Sequence, residues 1–262
     1  MMLIVLKYGG NAMASPEAAD PLLDEVAARV AAGDRVVLIH GGGPQIDAEL
    51  ARSGIVSERL AGLRVTDSAA LEATERVLCG AVNKALVRAL LRRGVEAAGI
   101  SGEDGGVLVG RPVAAIDGKS LGFVGEISNV RIPLLTALLD AGFTPVVAPL
   151  AVSTDAVTAL NVNADTAAGA IAGALGADLY VVITNVERVR ARAGDPASGI
   201  DRLDAAQARA YLRDGTFGGG MAPKIESVLD ALARGAKRAI VCGAGPDALA
   251  GALAGRGTVV AP

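Results

Sequence analysis

The chain has 262 residues, of which 52% are hydrophobic, enough to bury a large core and too many for intrinsic disorder. With 25 basic against 28 acidic residues, six aromatics and no Trp, it lacks the basic excess and stacking platforms of a nucleic-acid binder. One histidine, His40, and two distant cysteines, Cys79 and Cys242, exclude a multi-histidine metal site and a disulfide framework.

Residues 3–6 form an aliphatic run that reads as a strand and leads into Lys7-Tyr8-Gly9-Gly10-Asn11. It lacks the basic start and cleavage site of a signal peptide, and no run of about 18 apolar residues follows, so the expected compartment is the cytoplasm. Ser15-Pro16 offers an N-cap followed by Pro at the first helical position, and Gly33 would end that helix. A second strand, 36–39, runs into His40-Gly41-Gly42-Gly43-Pro44-Gln45, a glycine-rich turn that opens a helix. Such turns leave backbone N–H groups free at the positive end of a helix, so two of them after two strands point to one anion site.

Gly62-Leu63-Arg64-Val65-Thr66 places one arginine in a short loop, where it could fork onto a carboxylate. Asp67 then caps a long helix, stopped by Gly94, with Leu71, Thr74, Leu78, Val82, Leu86 and Leu90 along one stripe. Strands are expected at 95–99 and 145–150. Between them, 107–109, 113–116 and 121–128 read as a small antiparallel meander beside the main sheet. A helix is expected at 132–141. Asn161-Val162-Asn163-Ala164-Asp165 sets three polar side chains at the start of another, 164–175, where one cap would suffice. Strands at 179–183, 239–242 and 258–260 alternate with helices at 204–213, 222–234 and 247–253, with an exposed loop at 191–198. Ahead of the helix at 222, Gly218-Gly219-Gly220-Met221-Ala222-Pro223-Lys224 puts a lysine in a first helical turn, which the helix dipole disfavours unless an anion sits nearby. Continuous Val/Ile/Leu strands separated by helices imply an α/β three-layer sandwich with a mainly parallel central sheet. Ligands should gather at the carboxyl ends of its strands. Neither GxxxxGK[ST] nor GxGxxG occurs, which demotes P-loop and dinucleotide-binding folds.

Taken in order, the stretches at Lys7–Met13, His40–Ile46, Gly62–Asp67, Val82-Asn83-Lys84, Gly122–Glu126, Asn161–Asp165 and Gly219-Gly220-Met221 with Lys224 resemble the amino acid kinase family, and within it the branch that phosphorylates N-acetyl-L-glutamate. The resemblance spans essentially the whole chain, and the stretches around Arg64 and Asn161 are specific to that branch. It implies an amino acid kinase-like fold and transfer of phosphate from ATP, with Mg²⁺, to the side-chain carboxylate of N-acetyl-L-glutamate, an early step of arginine biosynthesis. By the same resemblance Lys7 and Lys224 stabilise the transferring phosphoryl group and Asp165 organises them. Gly42, Gly43, Arg64, Asn161 and Asn163 bind the amino-acid substrate, Gly9, Gly10, Asn11 and Gly41 the phosphate, and Thr184, Asn185, Gly218, Gly219, Gly220 and Met221 the nucleotide. The acceptor would lie on roughly residues 1–176 and the nucleotide on 177–262 of a single domain.

Two positions depart from the family pattern: Asn185 and its neighbours replace an Asp and a Gly, and Gly219 replaces an acidic residue. Arginine-inhibited relatives carry an added N-terminal helix that links dimers into hexamers. This sequence opens on its first strand, which gives the expectation of a homodimer without that feedback; the apolar stripe of the long helix could join the two copies, the alternative being that it faces only the central sheet. Two other functions stay open: a kinase for carrier-protein-linked aminoadipate or glutamate, and a non-catalytic nucleotide-binding regulator on the same fold.

Overall fold

In the computed structural model, residues 1–9, 20–192 and 194–261 are described. Strand β1 (Leu3–Tyr8) is followed by helix α1 (Pro21–Ala31), β2 (Arg35–His40) and α2 (Gly43–Arg52). A two-stranded hairpin, β3 (Arg59–Leu60) and β4 (Leu63–Arg64), precedes one long helix: α3 (Ser68–Glu75), a π-helical stretch at Arg76–Val82, and α4 (Asn83–Leu91). Next come β5 (Ala97–Ser101), β6 (Leu108–Pro112), β7 (Val124–Val130), α5 (Pro133–Asp140), β8 (Thr144–Ala148), β9 (Leu150–Ser153), β10 (Ala159–Val162) and α6 (Ala164–Ala174). The chain closes with β11 (Leu179–Thr184), β12 (Arg202–Asp204), α7 (Ala205–Arg213), α8 (Ala222–Ala233), β13 (Ala239–Gly243), α9 (Ala248–Leu253) and β14 (Thr258–Ala261).

Among the described residues, eight strands form one sheet in the order β12-β14-β13-β11-β1-β2-β8-β5. Every pairing in it is parallel except β13 with β14. Side chains alternate between its two faces, and both faces are covered. Val5, Val37, Ile39, Val147 and Val182 pack with α5, α6 and α8 through Leu135, Ile171 and Val228. Ile4, Leu6, Leu38, Val146 and Val181 pack with α1, α2, the long helix and α9 through Val26, Leu50, Leu86 and Leu249. All of these are buried, and each such aliphatic side chain contributes about 1.5–3 kcal/mol by leaving water. The expected three-layer sandwich is the observed one.

Several local expectations need correction. The first described helix starts at Pro21, with the Asp20 carboxylate accepting the Leu22 N–H as its cap; the Ser15-Pro16 start lies outside the described residues. The meander is instead a closed four-stranded barrel, β10-β7-β6-β9, in which parallel and antiparallel pairings alternate. Residues 113–116 form no strand: β6 ends at Pro112, whose ring has no N–H for a ladder bond, and Ile116 makes only a local turn bridge to Lys119. Arg64 closes a hairpin rather than standing in a loop, and residues 95–96 precede β5 instead of starting it.

The stripe on the long helix is buried along its whole length, from Leu71 to Leu90. It faces the sheet of its own chain and is not available to a second copy, contrary to the expected dimer surface. Its members recur every four residues from Thr74 to Leu90, a spacing that drifts by about 40° per step around an α-helix. The wider π-helical turns at Arg76–Val82 absorb part of that drift, which explains why they occur there.

Candidate active site

The carboxyl ends of β1, β2 and β8, neighbours in the sheet, open onto a cavity of about 420 Å³. Its walls include Lys7, Gly41, Gly42, Gly43, Asp47, Arg64, Asn161, Asn163 and Asp165. The strand–turn–helix pattern read from the sequence is what brings them together. Lys7 stands near the end of β1, and the Gly41–Gly43 turn leaves β2 and opens α2 at Gly43. Asn163 caps α6, its Oδ1 accepting the N–H groups of Asp165 (2.8 Å) and Thr166 (3.2 Å).

At the floor, one carboxylate is shared by two ammonium groups. Lys7 Nζ lies 2.8 Å from Asp165 Oδ1, and Lys224 Nζ donates to Asp165 Oδ2 at 3.1 Å. Lys224 sits in the first turn of α8, where the helix dipole disfavours it; Asp165 is the anion that makes the placement tolerable. The Lys7 and Asp165 side chains are each 7% exposed and Lys224 17%, so the trio is nearly sealed, with Lys224 on its open side. Burial pushes the Asp165 carboxyl upward, but the charges of Lys7 and Lys224 outweigh it and hold the group below the usual carboxylate range. Lys7 is pulled down by burial and by the like charge of Lys224, against the attraction of Asp165. Two positive charges on one negative leave the trio net positive beside the N-termini of α2 and α6, a setting that attracts an anion. Behind the trio the buried Tyr180 hydroxyl reaches the Asp165 carbonyl (3.3 Å) and Ser227 Oγ (3.2 Å), and Ser227 donates to the Lys224 carbonyl.

Arg64 forms the opposite wall and is buried, not the surface arginine a loop position would suggest. Its Nη1 donates to Ser57 Oγ at 2.9 Å, and its Nη2 lies 2.6 Å from Asp47 Oδ1. Thr66 Oγ1 donates to the Arg64 carbonyl and accepts from Asn161 Nδ2 at 3.1 Å, which ties the hairpin to barrel strand β10. The sequence reading missed Asp47, Ser57 and Thr66 as partners of these groups. Asp47 lies within α2 and Ser57 in the segment after it, and neither position carries a local pattern that would pair it with Arg64.

Gly9 lies beside the Lys7 ammonium, while Gly10 and Asn11 lie outside the described residues. Thr184 and Asn185 end β11, next to β1, and Gly218–Met221 turn into α8 just before Lys224. None of these six lines the cavity. Gly9 does not line it either, whereas Gly41 does, so of the described phosphate candidates Gly41 joins the Arg64 pocket and the nucleotide candidates do not.

A family model described as the amino acid kinase family matches residues 2–243. The chain belongs to the amino acid kinase family. This amino acid kinase is 44% identical over 247 residues to a protein named acetylglutamate kinase from Acidiphilium cryptum, covering 91% of this chain and 81% of that one. It is 39% identical over 261 residues to another of the same name from Brevibacillus brevis, covering 98% and 96%. Among solved structures, the protein smu.665 of Streptococcus mutans superimposes with a TM-score of 0.82 at 26% identity, covering 99% of this chain and 98% of that one. The amino acid kinase fold expected from the sequence is therefore the one present.

Proposed function

We propose that the chain transfers phosphate from ATP to the side-chain carboxylate of N-acetyl-L-glutamate, forming an acyl phosphate in arginine biosynthesis. The observation that carries this reading is the Lys7–Asp165–Lys224 trio, whose Lys7 and Asp165 line a cavity walled by Arg64, together with identities near 40% to acetylglutamate kinases over most of the chain. The cavity falls within the roughly 300–1,000 Å³ of small-molecule sites, and its lining is rich in polar groups.

The chemistry asks little beyond placement and charge. A glutamate-type carboxylate has a pKa of about 4.3, so the nucleophile is ionised at neutral pH and no general base is required. The protein must hold acceptor and donor in line and offset charge on the phosphoryl oxygens. Lys7 and Lys224 supply that charge, and Asp165 fixes both ammonium groups so that they are aimed before substrate arrives. Gly41 and Gly9 present backbone to the phosphoryl group, and Gly10 and Asn11 complete that loop in our reading; Gly42 and Gly43, expected from the sequence at the acceptor, share the Gly41 turn and in our reading reach the phosphoryl group as well. Arg64 grips the α-carboxylate with its planar fork, while Asn161 and Asn163 contact the rest of the acceptor. Thr184, Asn185 and Gly218–Met221 receive the nucleotide over residues 177–262, and residues 1–176 hold the acceptor. The nucleotide enters as its Mg²⁺ complex. In our reading the ion is carried by the nucleotide phosphates and water. No described helix is long and apolar enough to cross a membrane, and we assign the enzyme to the cytoplasm, with homodimer as its assembly.

The test is direct. Incubation with MgATP and N-acetyl-L-glutamate, followed by hydroxylamine, should yield the hydroxamate of an acyl phosphate in step with ADP. Absence of hydroxamate with this acceptor, and its formation with a carrier-linked aminoadipate or glutamate, would replace the proposed substrate.

A further inference from the structure

We infer that His40 and Asn83 are positioning residues that lock the Gly41–Gly42 peptide so that the Gly42 N–H is aimed at the transferring phosphoryl group; this rests on the function proposed above. The two side chains belong to stretches singled out in the sequence, and neither touches the cavity.

Asn83, at the start of α4, is buried, and its surroundings fix which end of its amide is which. One end lies 2.9 Å from the Val146 carbonyl and 3.3 Å from that of Ile100; two carbonyls demand the NH₂ group there. The other end lies 3.1 Å from Lys84 Nζ, a donor only, so it is the amide oxygen. The same NH₂ is 3.1 Å from His40 Nε2; its two hydrogens serve Val146 and, shared with the longer Ile100 contact, Nε2, and since an amide nitrogen offers nothing for Nε2 to donate to, Nε2 carries no proton. In a neutral imidazole the proton then resides on Nδ1, which lies 3.0 Å from the Gly41 carbonyl and donates to it.

Gly41 is thus held at both ends, since its N–H donates to the Tyr8 carbonyl at 2.9 Å. In a trans peptide the C=O of Gly41 and the N–H of Gly42 point in opposite directions. Drawing the carbonyl towards the buried His40 turns the Gly42 N–H to the side on which Gly41, Gly42 and Gly43 line the cavity. Two glycines make the arrangement possible by close approach. A methyl at Gly99 would stand 2.1 Å from the Asn83 amide oxygen, and one at Gly42 would stand 2.6 Å from Leu78 Cδ2.

The tautomer and two variants test the inference. The native chain has one histidine, so long-range ¹H–¹⁵N correlation of its imidazole reads the protonated nitrogen without assignment. Protonation on Nδ1 is expected, and protonation on Nε2 would overturn the inference. The amide nitrogen of Asn falls near the position of Nδ1 and that of Gln near Nε2. His40→Asn should therefore keep kcat within roughly fivefold of wild type, whereas His40→Gln should lose about 10²-fold, the scale seen for one misaimed oxyanion donor, with the acetylglutamate KM little changed in both. A purely structural role predicts the reverse order, because Gln fills the imidazole's volume better. Equal kcat values, or a faster Gln variant, would overturn the inference while an active wild type upheld the function. A wild type that forms no acyl phosphate would overturn the function itself and this inference with it. Should neither variant fold, the tautomer of the wild type still decides.

Discussion

Lowering the pH from 7 to 5 protonates the imidazole of the unfolded chain while leaving that of the folded chain neutral. His40 is completely buried, and burial lowers its pKa from 6.5 to about 4, with the Lys84 charge adding to the fall and the Gly41 hydrogen bond opposing it. The folded pKa lies below the unfolded one, so stability is full above about 6.5 and declines as the pH falls towards 4. At 1.36 kcal/mol per unit, a gap of roughly 2.5 units amounts to about 3 kcal/mol, of which about 2 kcal/mol is lost by pH 5. Carboxylates titrate in the same range, so the measurement is a difference. Urea unfolding of wild type and His40→Asn at pH 7, 6 and 5 removes every contribution the two share, and with one histidine in the chain what remains is this group. Wild type should lose about 2 kcal/mol more than the variant between pH 7 and 5. Parallel pH profiles would refute the account of a neutral, desolvated imidazole.

Three further outcomes follow from the site. Lys7→Ala and Lys224→Ala should each lower kcat by roughly 10²–10³ with a smaller change in the acetylglutamate KM, as for interactions made in the transition state; near-normal kcat at saturating ATP would remove that lysine from the chemistry. Arg64→Lys should raise the acetylglutamate KM about tenfold and leave that of ATP unchanged, since an ammonium lacks the fork; a change confined to ATP would move Arg64 out of the acceptor pocket. Light scattering should give the mass of a dimer, and because the Leu71–Leu90 stripe is buried in its own chain, Leu86→Ala should destabilise each subunit by about 2–5 kcal/mol without selectively releasing monomers. Monomer mass in the wild type would end the dimer reading.

The layers of the fold were legible because they rest on local pattern. Unbroken apolar runs such as 179–183 are buried on both faces, and the Asp67 and Asn163 caps stand where a carboxylate or amide side chain precedes apolar periodicity. Lys7, Asp165 and Lys224 were legible as motifs, and the awkward lysine in the first turn of α8 pointed to an anion; that the anion is Asp165 is a contact across the fold that no local pattern records. The barrel was misread because strand pairing joins β9 and β10 to β6 and β7 over long sequence separations. Ser15-Pro16 and Asp20-Pro21 are equivalent as start signals, and only the described Asp20 side chain can be placed in a cap. Arg64 looked like a loop residue because a hairpin with two residues per strand is too short to show alternation.

The π-helical stretch at Arg76–Val82 also sets how much the length of this chain can vary. An α-helix turns about 100° per residue and a π-helix, with its wider turns, less, so losing one residue inside the stretch can be absorbed by tightening those turns to α-helical ones, whereas the same loss in α3 would swing everything after it a quarter-turn or more. Leu78, against Gly42, and Asn83, against His40, lie within and just beyond the stretch, so a length change in α3 would swing both away from the glycine turn. The long helix is thus a gauge with one adjustable stretch: a residue can be lost within Arg76–Val82, whereas an insertion or deletion in α3 would have to be matched by a second one before the glycine turn could re-form.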